Sequence, residues 1–208
     1  MKFASTLFYF FIASVSCVSQ SNFSQFKKLS SPKKWWVVLH PFKAQKAYLI
    51  SVEVNGISDS IKNCKLLDGD HVGGQVDAFR HAYWMARLTE EIGASSSRSL
   101  GKAHEKENYL MYKNRKLEDG IVPDKISSEM DLFNNEVGIS LTRKGNKTPK
   151  NGLIYRIINA ILDGKMKVIK KNISGQFLTC EGKVISSKSL IGKWKNNKCL
   201  VNSSYIRN

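Results

Sequence analysis

Past Val15 the sequence has no apolar run long enough to cross a bilayer as a helix, which excludes a bundle of membrane-spanning helices. It also has no Gly-x-x-x-x-Gly-Lys-Ser/Thr loop, no Gly-x-Ser-x-Gly elbow, no His-Glu-x-x-His pair and no catalytic-cysteine signature. P-loop phosphate chemistry, α/β-hydrolase chemistry and the familiar zinc-protease helix are therefore set aside. The four cysteines lack the paired spacing of a zinc-binding module. No internal repeat is present. Acids are scarce, with 17 Asp/Glu against 33 Lys/Arg, for a net charge of +16 over 208 residues.

What is present begins with an export signal. Lys2 supplies the positive region, Leu7 to Val15 the apolar stretch, and Ser14, Ser16 and Ser19 the small residues that follow. Residues 1–17 read as a signal peptide and 18–34, rich in Ser, Asn, Gln and Lys, as a flexible tether. Ser14-Val15-Ser16-Cys17 is also similar to a bacterial lipobox, with Ser14 where leucine is usual, so lipidation of Cys17 and ordinary cleavage both stay open. In an oxidising compartment Cys180–Cys199 is the simplest pairing, and Cys64 is expected as a buried thiol.

The positive charge is uneven. Residues 141–208 carry 15 Lys/Arg against only Asp163 and Glu181, whereas residues 73–140 carry 9 Lys/Arg against 11 Asp/Glu. A basic C-terminal region suits anionic surface polymers or lipid headgroups, although it is equally the pattern of a solvated lysine face. Few aromatics are interleaved with the lysines, which argues against nucleic acid as the partner. A membrane would be met only through a lipid on Cys17.

The remaining periodicity is helical. Trp35 to Leu39 reads as a short buried helix ending near His40-Pro41, and Phe42 to Val54 as a second helix, with a polar connection from Gly56 to Gly69. Gly73-Gly74 opens a central helix over Gln75 to Ile92, stopped by Gly93. Ser95 to Ser97 reads as a turn, followed by a helix from about Arg98 to Tyr112 and a charged loop to Pro123. Ser128 and Asp131 match a capping box for a helix over about 129–142. Leu153, Ile154, Ile157, Ile158, Ile161 and Leu162 give a core-facing stripe, ended at Gly164. Weak alternation around Asn196-Asn197 suggests a small hairpin. The expected fold is mainly α: a compact multi-helix domain over 35–170 with a short C-terminal β-hairpin in a basic, β-rich tail over 171–208.

Chemistry-bearing residues concentrate between Gly73 and Gly138. Asp77 and His81 are four apart and share a helix face, with Trp84 one turn on; Asp131 and Asn135 repeat the spacing, and Gly138 allows close helix approach. His104-Glu105 comes from the helix between them. Packed together, these helices would gather a divalent-metal site from His81, His104 and Asp131. Alternatively, a histidine would act as general base oriented by Asp77 or Asp131. In either case His81, His104, Asp77, Glu105 and Asp131 are the catalytic candidates, and Arg80, Asn134, Asn135 and Trp84 the substrate-binding ones. Arg80 could instead pair with Glu136. The bland alternative is a buried hydrogen-bond network between helices, with Asp77 complementing its helix dipole.

These same residues carry a resemblance. Phe79-Arg80-His81-Ala82-Tyr83-Trp84, Ala103-His104-Glu105 and Met130-Asp131-Leu132-Phe133-Asn134-Asn135-Glu136-Val137-Gly138 resemble the three motif blocks of a bacterial family of unknown function. The likeness runs from about Trp35 to Leu141. It implies an exported protein or lipoprotein related to domains at the C-terminal end of toxin-like proteins. Phe133 stands where many members have histidine, which implies one ligand fewer. The sequence is thus read as an exported cell-envelope protein, a hydrolase using a His/Asp/Glu/Asn site. The alternative reading is a non-catalytic envelope protein that binds anionic polymers through its basic C-terminal region.

Overall fold

The computed structural model describes residues 24–207; the signal expected over 1–17, Cys17 and the first part of the tether lie outside the described residues. Helices α1 (Ser31–Leu39), α2 (Pro41–Asn63), α3 (Gln75–Ile92), α4 (Ala94–Lys113), α5 (Lys125–Ser140) and α6 (Lys150–Leu162) precede β1 (Lys167–Ile169), the single turn α7 (Ser187–Leu190) and β2 (Leu200–Asn202). A helical turn at 24–28 precedes α1, so the later half of the expected tether is structured.

Helix α3 is the axle. Gly73 (φ 79°) delivers the chain into it and Gly93 (φ 86°) releases it, both in the left-handed region that only glycine enters without cost. Between them Val76, Ala78, Phe79, Ala82, Tyr83, Met85, Ala86 and Leu88 are all essentially inaccessible. This helix is buried on most of its circumference, polar Asp77, His81 and Glu90 included, and α2, α4, α5 and α6 enclose it. The closest approach is to α5 at Gly138, where any Cβ would lie 2.7 Å from the Cα of Ala82. From α6, Leu153, Ile157, Ile158 and Ile161 join the core as the periodicity predicts, Ile154 packs at its edge, and Leu162 faces outward.

Several boundaries differ from the sequence reading. Helix α2 runs through Gly56 to Asn63, because Val54, Ile57 and Ile61 continue its apolar stripe and Gly56 lies in open space. Helix α4 starts at Ala94, so Ser95 to Ser97 form its first turn. Helix α5 starts a turn early: Asp124 is its N-cap, Oδ1 accepting from the Ser127 amide at 2.9 Å. The expected capping box of Ser128 and Asp131 therefore does not form, and Asp131 is an interior residue of α5. Of the run from Trp35 to Leu39, only Trp36 is buried; Trp35, Val38 and Leu39 are exposed. Cys64 is exposed rather than buried.

The C-terminal segment is no appendage. Strands β1 and β2 pair antiparallel with Val168 opposite Val201, joined by the whole of 170–199 rather than by a tight turn at Asn196-Asn197. The Cys180–Cys199 disulfide closes the intervening loop. That loop docks on the start of α5: Lys198 meets Asp124 at 2.6 Å, Asn196 donates to the same carboxylate at 2.8 Å, and the Lys125 amide donates to the Trp194 carbonyl at 2.8 Å. Lys171 meets Asp70 at 2.6 Å, and the Ile169 amide donates to the Gly73 carbonyl at 2.7 Å. We call this segment the clasp. Lys171 and Lys198, counted in the sequence as surface charge, are only 5% and 6% exposed.

Candidate active site

The site is built where α3, α4 and α5 meet. Asp77 and His81 share a face of α3, and Asp131 comes from α5. The His81 Nε2 lies 3.7 Å from Asp77 Oδ1 and 3.4 Å from Asp131 Oδ1, with all three residues at most 6% exposed. Asp77 is held from two sides: Arg80 donates to Oδ1 and the Gly73 amide to Oδ2, each at 2.7 Å. Asp131 Oδ1 accepts no hydrogen bond, and the Asn135 side-chain amide lies against His81 without a well-formed bond. His81 Nδ1, Glu105 Oε1 and Asn108 Oδ1 are also unpartnered in this interior seam, and the Ser128 hydroxyl lies beside Glu105. Buried polar groups are nearly always paired, so such a concentration leaves donors and acceptors open to water or a ligand.

His104, on α4, faces the seam from the other side. Its ring centroid is 5.9 Å from that of His81, and the Trp84 indole meets it edge-on at 5.6 Å. Its nitrogens address other acids, with Nε2 3.3 Å from Glu118 and Nδ1 3.6 Å from Glu107. Glu107 is in turn ion-paired with Lys33. Glu105, beside it on α4, points away toward Asn108, whose amide donates to it at 3.4 Å.

Burial and opposing charges push these groups apart. Desolvation, then the nearby Arg80 and His104, hold His81 well below the ordinary imidazole range. Burial works against charge on His104 too, but the neighbouring Glu107 and Glu118 carboxylates prevail and raise it to about 9. Burial followed by the surrounding carboxylates lifts Asp131 well above the usual range, and burial lifts Asp77 despite Arg80 and the Gly73 amide. Glu105 is pushed up to about 7, mainly by burial.

Two spaces open onto these groups. A cleft of about 210 Å³ is lined by Lys33, Arg80, His81, Trp84, His104 and Glu118, among others. A chamber of about 30 Å³, on the other side of Arg80, is walled by His71, Asp77, Glu118, Asp119 and Asp131. Glu118 and Asp119 come from a two-residue hairpin: the Glu118 and Ile121 backbones bond reciprocally at 2.8 and 3.0 Å, and Asp119 and Gly120 take positive φ. Arg80 bridges to it, meeting Asp119 at 2.5 Å.

The structure thus gathers Asp77, His81, Asp131, Asn135, Arg80 and His104 as the spacing predicts, and redirects others. The carboxylate–imidazole group that could hold a metal is Asp77, His81 and Asp131; His104 is not in it. Asn134 is locked to β1, donating to the Lys167 carbonyl and accepting from its amide, both at 2.9 Å, so it cannot bind substrate. Glu136 pairs with Arg98 rather than Arg80. Phe133 is 43% exposed under the Lys167 ammonium on the outer side of α5, so a histidine there would not enter the seam. Its presence removes no ligand. The sequence reading missed Glu118, Asp119 and Glu107. The first two had a signal in Asp119-Gly120, a dipeptide that favours this hairpin turn.

Fold and site together define a mostly helical domain with a polar seam buried between its helices and a cleft at the seam's mouth. The chain belongs to the family described as Domain of unknown function (DUF6973), whose model matches residues 34–165, more than half of its length. The match takes in every seam residue and stops short of β1, leaving most of the clasp outside. No curated protein and no solved structure matches the chain.

Proposed function

We propose that the chain is an exported hydrolase of the cell envelope whose reaction takes place in the cleft between His81 and His104. One observation carries this reading: two imidazoles 5.9 Å apart line one cleft in opposite surroundings. His104 lies between two carboxylates, as a proton donor to a leaving group does. His81 is backed by Asp77 and Asp131 and serves the water side, the corner where a nucleophile is prepared. Arg80 and Trp84 line the cleft and bind substrate, Asn135 fixes the His81 ring, and Glu105 supports the seam from α4. Export rests on the N-terminal signal pattern and the family resemblance. Among the described residues no helix is long and apolar enough to cross a membrane.

The test is hydrolysis of envelope polymer, model esters and phosphodiesters by the wild-type chain, His81→Gln and His104→Gln. Each variant is expected to lose at least about 100-fold in turnover while melting within a few degrees of wild type. No turnover by the wild type, with both variants collapsing in stability, would reduce the seam to scaffolding.

A second reading rests on its own observation. Lys183, Lys188, Lys193 and Lys195 are all exposed on the loop closed by Cys180–Cys199. They suit an anionic envelope polymer. Binding that weakens steeply with salt and persists in both histidine variants would favour this role.

A further inference from the structure

We infer that Asp77, His81 and Asp131 form a zinc-type divalent-cation site, with the small chamber beside them supplying the open position for water. It goes beyond the hydrolase reading and stands whether or not the cleft turns over substrate. The first argument is distance. Two ligands each about 2.1 Å from a tetrahedral ion lie about 3.4 Å from one another. The His81 Nε2 lies 3.4 Å from Asp131 Oδ1 and 3.7 Å from Asp77 Oδ1, too far for good hydrogen bonds and close to the separation a shared ion imposes. All three ligand atoms fall within 4.8 Å of one another.

The second argument is independent of that spacing. Asp131, 4% exposed, lines the 30 Å³ chamber, and its Oδ1 accepts no hydrogen bond. A buried carboxylate oxygen left so is open to a cation that would complete it. The chamber is large enough for one small solvent-sized occupant, and it is walled by Asp77, Glu118, Asp119 and Asp131 with Arg80 as its single guanidinium. Arg80 does not fill the role of the missing cation, because Asp77 and Asp119 already share it at 2.7 and 2.5 Å. The orienting partners that metal-bound carboxylates usually have are in place. Asp77 is fixed by Arg80 and the Gly73 amide, and Asn135 stands beside His81. One imidazole with two carboxylates, no thiolate and a tetrahedral separation favour Zn²⁺ over the oxygen-only sites of Ca²⁺ or Mg²⁺.

The test is calorimetric titration of the metal-free chain with Zn²⁺, repeated on Asp131→Asn, His81→Gln and the surface control Asp163→Asn. One Zn²⁺ per chain is expected for wild type and control, with binding at least about 100-fold weaker in the two ligand variants. X-ray absorption of the loaded wild type, which does not depend on any variant folding, should give a nitrogen/oxygen shell with a single imidazole. Absence of stoichiometric binding, binding unchanged in Asp131→Asn, or a shell with two or more imidazoles would overturn the site. Zinc uptake without hydrolysis would leave this site standing and remove the hydrolase. Hydrolysis by a chain that takes up no zinc would do the reverse.

Discussion

Two parts of the molecule bury ionic side chains, and they treat them in opposite ways. In the clasp, every buried charge is answered: Lys198 and Asn196 converge on Asp124, which also caps α5, while Lys171 bonds both Asp70 and the Val72 carbonyl. In the seam, Asp131, His81, Asn135 and Glu105 all carry atoms with no partner. The neighbours Asn134 and Asn135 reduce the contrast to one step along one helix. The first makes two bonds to β1 and the second only a loose contact with His81. Closed networks hold the fold together, whereas open ones leave donors and acceptors free to take up water or a ligand.

Breaking the clasp should have the largest effect. Lys198→Met leaves Asp124 buried without its cation, and urea unfolding should show a loss of about 3 kcal/mol or more. An unchanged midpoint would mean that the clasp is as dispensable as a surface ion pair. Next comes the asparagine pair: Asn134→Ala should cost about 2 kcal/mol, since two β1 backbone groups lose their partner, whereas Asn135→Ala should cost under about 1 kcal/mol. Equal losses would erase the distinction drawn here.

Acid should reach the clasp as well. Burial raises both Asp70 and Asp124, but their lysine partners and hydrogen bonds more than offset it, so both are held below the ordinary aspartate range. A depressed carboxylate contributes fully above its unfolded value, about 3.9, and that contribution is lost as pH falls through the lower folded value. Melting temperature should therefore be insensitive to these pairs above about pH 5 and drop as pH falls below about 4; in Lys198→Met the drop should be shallower. The smallest effect is expected of Asp131→Asn in chelator, which replaces a buried carboxyl without a full set of partners by an amide of the same shape and should shift stability by no more than about 1 kcal/mol. A loss of several kcal/mol would place Asp131 among the closed networks.

Much of this was legible because it depends on local periodicity. The limits of α3 follow from Gly73-Gly74 and Gly93, the shared faces from i,i+4 spacing, and the tight α3–α5 crossing from Gly138. What was not legible depends on partners distant in sequence. Ser128 reads as the helix start, yet Asp124 is the cap, and its carboxylate is held by Lys198 and Asn196, far along the chain. That earlier start moves Asp131 from a cap to the interior, which changes its meaning. His104 was assigned to the metal on spacing alone, but Glu107 and Glu118 claim it, the latter from a loop without periodicity. The lysine-rich C-terminal region looked like a surface because composition does not reveal which lysines fold inward.

Gly73 gives the seam an order of assembly. Its amide holds Asp77, and its carbonyl accepts from Ile169; a Cβ there would lie 2.8 Å from the Ile169 side chain. The neighbouring Lys171 bonds reach back 99 and 101 residues. Contacts of that span close slowly and only after local helices have formed, since the entropy of closing a long loop must be met first. On a chain made from its N-terminus, the three seam helices exist well before the strand that steadies the Gly73 turn. The bundle is therefore expected to form first, and the corner around Gly73 to be completed only after Ile169 and Lys171 have been added.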